Sequence, residues 1–85
     1  MEYITKNDLW NLPFGSATKM LLNNYVYMYL EDNSIYQGII TAIRKADNVN
    51  PTTMDYLPVG FVINDEYVDI TKIHHIEIVT NERKQ

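Results

Sequence analysis

The stretch Tyr25-Val26-Tyr27-Met28-Tyr29-Leu30-Glu31-Asp32-Asn33-Ser34-Ile35-Tyr36-Gln37-Gly38-Ile39-Ile40 decides the fold. Side chains on a strand alternate between its two faces. Val26, Met28 and Leu30 therefore share one face, the better candidate for the core, and Tyr25, Tyr27 and Tyr29 share the other. Glu31-Asp32-Asn33-Ser34 is a tight turn, since Asp and Asn tolerate the positive φ angles that hairpins require. The return strand runs over 35–44, with Ile35, Ile39 and Ile43 on one face and Tyr36, Ile40 and Ala42 on the other. This predicts a central strand buried on both sides. Gly38 falls in its middle, where glycine marks a bend or a close backbone approach. A long bent strand is what a small, strongly twisted antiparallel barrel needs to join its two halves.

Downstream, residues 45–56 (Lys45-Ala46-Asp47-Asn48-Val49-Asn50-Pro51-Thr52-Thr53-Met54-Asp55-Tyr56) read as a long irregular loop. Residues 57–63 read as a strand with Val59, Phe61 and Ile63 on one face. Asn64-Asp65 is a second hairpin turn, and 66–70 a short strand. The spacing of Ile70 and Ile73 predicts one tight helical turn, and 74–79 is the fifth strand with Ile76 and Ile78 inward. Upstream, Thr5 is placed to cap a helix with Asp8 completing a capping box, and Pro13 closes it. Ser16 caps a second short helix that Asn23-Asn24 ends. Trp10 is expected to plug the core between helix and sheet. The organisation is one domain over 1–85: a helical segment 1–23, a barrel 24–79 and a polar tail 80–85. Its class is mainly β with an N-terminal helix (α+β), a five-stranded antiparallel barrel preceded by one or two short helices.

Composition narrows the function. Of 85 residues 46% are hydrophobic, which argues against disorder in the middle of the chain. There is no Cys, so disulfides and thiolate zinc sites are excluded. Residues 1–8 lack the pattern of a signal peptide, and no apolar run approaches the ~20 residues that span a bilayer. A cytoplasmic location and no membrane partner are the expectation. The net charge of −4 disfavours a general phosphate-binding surface.

The order of helix, five strands and a one-turn helix before the last strand resembles the SH3-like small barrels, and the Sm-like proteins among them. The stretch from Tyr27 to Ile40 quoted above is similar to the family's apolar strand, turn and bent glycine-bearing strand. Asp47-Asn48-Val49-Asn50 is similar to the loop that holds bases in RNA-binding members. Lys72 and His74 stand near their second motif, at a shifted spacing. The resemblance implies an RNA pocket lined by Asp47, Asn48, Asn50, Lys72 and His74.

The residues themselves point elsewhere. His74 and His75 are adjacent, so a regular strand would send them to opposite faces, a poor geometry for a metal. Asp65, Glu66 and Asp69 read as a solvated hairpin face. With three glycines, no phosphate-cradling loop is present. No catalytic residues, cofactor or metal are expected. Tyr25, Tyr27, Tyr29 and Tyr56 are the candidate interaction surface, because tyrosines anchor protein partners. The expected function is a non-enzymatic interaction or accessory module that binds a protein. Pairing of exposed strand edges gives a route to a homo-oligomer. The alternatives are an Sm-like RNA binder and an acidic inhibitor of a nucleic-acid-binding partner.

Overall fold

Residues 2–79 are described in the computed structural model. Six strands and two helices follow in the order β1 (Glu2–Thr5), α1 (Lys6–Asn11), α2 (Phe14–Leu21), β2 (Tyr25–Leu30), β3 (Ile35–Asn50), β4 (Asp55–Ile63), β5 (Glu66–Asp69) and β6 (Ile73–Ile78), with a 3₁₀ turn at Ile70–Lys72 before β6. All strand pairs are antiparallel, in the spatial order β1-β6-β2-β3-β4-β5. The outermost strands, β1 and β5, do not pair with each other, so the sheet is open. The expected five strands are thus six. The addition is β1, in a segment expected to be helical, whose Ile4 joins the core and whose backbone pairs with β6.

The bent strand is the hinge of this arrangement. Residues 35–39 of β3 pair with β2, and from Ile40 onward β3 pairs with β4. At the handover, Ile40 donates to the Asn24 carbonyl (3.2 Å) and accepts from the Asn23 amide (2.7 Å). Gly38 precedes it with φ 156°, and a Cβ there would meet Asn64 Oδ1 at 2.5 Å. The Asn64 side chain lies across this glycine and donates to the Gln37 carbonyl (3.0 Å).

Both faces of β3 are not buried. Ile40 is fully buried and Ile43 packs against the core, whereas Ile35 and Ile39 are 56% and 48% exposed and Ala42 is exposed. A register shift between Ile40 and Ala42 changes which parity faces inward. The rest of the core matches the alternation: Val26, Met28, Phe61, Ile63, Val68, Ile70, Ile73, Ile76 and Ile78 are buried together with Leu9 and Leu21 from the helices. Asn33, Asn64 and Asp65 adopt the positive φ that their turns require.

Thr5 caps α1 as its spacing predicts: its hydroxyl accepts from the Asp8 amide and its own amide donates to the Asp8 carboxylate, both at 3.3 Å. This helix buries only Leu9. Trp10, about 100° further round the helix, is 45% exposed and is not a core plug. The second helix starts at Phe14 behind Pro13 rather than at a Ser16 cap, and buries Ala17 and Leu21.

The irregular loop expected over 45–56 is an extension of the β3–β4 hairpin. Its strands continue to Asn50 and resume at Asp55, with Val49 opposite Tyr56. The turn at 51–54 is tied by Asn50, whose side chain accepts from the Thr52 amide (2.9 Å) and whose carbonyl accepts from the Met54 amide (2.8 Å). A register jump between Lys45 and Val49 breaks the alternation, which is why the pairing leaves no period in the sequence. The polar tail expected at 80–85 lies outside the described residues.

Candidate interaction face

Register builds the site. Directly opposite residues in an antiparallel pair share a face. Tyr29 faces His75 of β6 on one side and Ile35 of β3 on the other. Tyr27 lies between Glu77 and Gln37, and Tyr25 lies beside Ile39. On the far side of β6, Tyr3 faces Glu77 and Thr5 faces His75. Alternation buries Ile4, Val26, Met28, Ile76 and Ile78 beneath this layer. The outward side of β1, β6, β2 and the first part of β3 is therefore one surface of tyrosines, isoleucines, a histidine and a carboxylate. Tyr3, Tyr25, Ile35 and Ile39 are its exposed large hydrophobic members, and Thr5 and Gln37 are exposed among them.

The rings pack in series. The His75 imidazole stacks on Tyr29 at a centroid distance of 4.3 Å and on Tyr3 at 5.7 Å. Tyr25 and Tyr27 meet edge to face at 6.1 Å. One ring from each of three neighbouring strands thus makes a continuous stack, which holds His75 half-buried.

His74 joins this face instead of leaving it. The β2–β6 register shifts between Tyr29, opposite His75, and Leu30, opposite Ile73, so His74 is an extra residue without a partner. Such a bulge interrupts the alternation and re-aims the side chains around it. Here it brings His74 Nδ1 to 2.8 Å from His75 Nδ1, in place of the opposite faces of a regular strand. That contact needs one ring to present N–H and the other a bare nitrogen. The pair forms a wall between two shallow depressions, 340 Å³ beside the β2–β3 turn and 590 Å³ beside the start of α1. Glu31 lines both, paired with Lys6. The Lys6 ammonium holds the Glu31 carboxyl below its usual value, and His74 adds to that effect.

Glu77 is the centre of the face, only 7% exposed. Its Oε1 accepts from the Tyr29 hydroxyl at 3.3 Å. Burial, and then the Glu77 carboxylate, push the Tyr29 phenol above its usual value. Among the described residues no group of three or more His, Asp or Glu side chains is placed to hold a metal ion, and no helix is long and apolar enough to cross a membrane.

The structure brings together Tyr25, Tyr27 and Tyr29 but not Tyr56. That ring lies beside the hairpin turn at 51–54, opposite Val49, with Lys45 Nζ 4.4 Å from its centroid and 5.8 Å from that of Phe14. Asp47 and Asn48 are exposed on the outer part of β3, and Asn50 is engaged in its turn. Lys72 is in the 3₁₀ turn, with its carbonyl accepting from the Glu31 amide at 2.9 Å. No hydrogen bond or ion pair among the described residues joins Asp47, Asn48 or Asn50 to Lys72 or His74. Sequence reasoning missed Tyr3, His75 and Glu77 as members of the face. Glu77 stood in the sequence only as a carboxylate between Ile76 and Ile78, at an outward position of an alternating strand. No protein-family model, curated protein or solved structure matches this chain.

Proposed function

We propose that this chain is a non-enzymatic protein-interaction module of the SH3-like small-barrel kind, binding a partner protein through the outward side of β1, β6 and β2. The observation that carries this reading is the register that lays Tyr3, Tyr25, Tyr27, Tyr29, Ile35 and Ile39 on one outward surface. Contiguous apolar surface on a small protein marks interaction sites. Tyrosine suits such a site, giving large contact area with few rotors to immobilise. The small-barrel assignment draws support from the succession β6-β2-β3-β4-β5 and from the 3₁₀ turn before β6, the order that family shares.

Photo-cross-linking in the source cells tests the reading. A photoreactive residue in place of Tyr25 is expected to capture a discrete protein, and one in place of Met54, 79% exposed at the hairpin tip, is not. Capture of a second copy of this chain alone would make the face a self-association surface. Equal capture from both positions, or from neither, would contradict the proposal.

A further inference from the structure

His74 and His75 meet through like atoms, Nδ1 against Nδ1, at 2.8 Å. Their ring centroids are 5.1 Å apart, as far as two imidazoles in that contact can be, so each nitrogen points straight at the other. This alignment fits a single N–H···N bond. Two nitrogens holding one metal ion would both aim at a third point beside the line between them. An imidazole nitrogen either carries a proton or offers a lone pair. The contact therefore holds when one of the facing nitrogens is protonated, in a neutral or a singly charged pair. With a proton on each, two N–H groups and two like charges face each other.

The surroundings do not offset that repulsion. Around the pair stand Tyr3 from β1, Lys6 from α1, Tyr29 from β2 and Glu31 from the turn after it. Glu31 is already paired with the Lys6 ammonium, and Glu77, further along β6, accepts from the Tyr29 hydroxyl. Neither carboxylate is placed to hold two imidazolium rings together.

The two rings are not equally able to move. His75 is half-buried and stacked on Tyr29 and Tyr3, with 13° and 17° between the ring planes. Aromatic faces attract cations, so a charged His75 keeps these contacts. His74 is exposed and has no partner in the β2–β6 ladder. It is the ring that leaves. A regular strand would send the two side chains to opposite faces, so the contact exists because the ladder is broken by a bulge at this residue.

We infer that the His74–His75 pair is a proton-operated latch, closed while the facing nitrogens share one proton and released when each carries its own. Histidine changes charge within the physiological pH range, which places release in mild acid. The pair is the wall between the 340 Å³ and 590 Å³ depressions. Opening it joins them, so this end of the face has one outline near neutral pH and another in mild acid. The latch acts within the chain, whether or not the face docks a partner.

NMR of the full chain with isotope-labelled histidine tests the latch. A nitrogen–nitrogen coupling across the hydrogen bond is expected between the two Nδ1 atoms at about pH 7.5 and is expected to be lost by about pH 5. Backbone amides of Lys6, Asn7, Asn33 and Ser34, which border the depressions, are expected to shift over the same range while the other amides stay dispersed. His75→Phe keeps a ring for the stack and removes the facing nitrogen, so the coupling is absent and most of the amide shift is expected to disappear. If that variant does not fold, His74→Ala, at the exposed bulge, reads the same loss. No coupling near neutral pH, a coupling that persists in mild acid or is lost only with global unfolding, or undiminished amide shifts in the variants would overturn the latch.

Discussion

The tyrosine face and the outer β3–β4 hairpin are both exposed, yet they are assembled in opposite ways. The face is made by long-range register: residues from β1, β2, β3 and β6 fall side by side because the strands alternate in phase. The outer hairpin is instead tied to the start of α2 by a few individual polar and ring contacts. The Asp55 carboxylate accepts from the Gly15 amide (3.0 Å) and the Tyr56 amide (2.7 Å), and Lys45 lies against Phe14 and Tyr56. Val49 and Met54 on it are 45% and 79% exposed. Exposure alone does not make a site. Convergence does, and here it occurs where alternation survives across several strands.

The sharpest contrast lies beneath the two surfaces. Ile76→Ala, under the face, removes a fully buried side chain and is expected to cost about 2–5 kcal/mol. Val49→Ala on the half-exposed hairpin position is expected to stay within about 0.5 kcal/mol. Urea denaturation of both variants measures the difference, and equal losses would break the comparison.

Gly38 sits where the two regions part. Gly38→Ala places a Cβ at φ 156° against the Asn64 side chain and is expected to cost about 1–3 kcal/mol. Displacing Asn64 relieves the clash but gives up its bond to Gln37 and leaves the backbone strain. Combining the change with Asn64→Ala is therefore expected to recover only part of the loss in the same assay.

A smaller effect belongs to the hairpin. Hydrogen bonds from Gly15, then from Tyr56, hold the Asp55 carboxyl below its reference value of 3.8. A carboxyl lowered on folding stabilises the fold above its unfolded pKa, and that contribution is lost as pH falls through the folded value. Asp55→Asn is expected to reduce the acid sensitivity of thermal unfolding below about pH 4. An unchanged acid limb would show that the Gly15 clasp does not couple the hairpin to α2.

Much of this contrast was legible in the sequence. Alternation from Tyr25 to Leu30 named the tyrosine side and the buried side, and Gly38 named the strand that passes between the two parts of the sheet. Asn33, Asn64 and Asp65 marked turns because few residue types accept positive φ. What escaped has physical reasons. Glu2–Thr5 is too short to show a period, and its partner β6 lies at the other end of the described chain. The bulge at His74 is a pairing defect, visible only once Tyr29 and Leu30 are set against their partners. The hairpin extension is hidden by its register jump and by a composition of Asp, Asn and Pro that argues for a loop. Trp10 shows that ring size does not predict burial when a six-residue helix has one inward position.

The most direct test of the central claim measures the affinity of the partner captured through Tyr25 for two double variants. Tyr25→Ser with Ile39→Ser alters two adjacent exposed residues of the face, and Val49→Ser with Met54→Ser alters the hairpin to a similar degree. The face variant is expected to bind about tenfold or more weakly and the hairpin variant within about twofold of wild type. Loss of binding by the hairpin variant, with the face variant unaffected, would contradict the account.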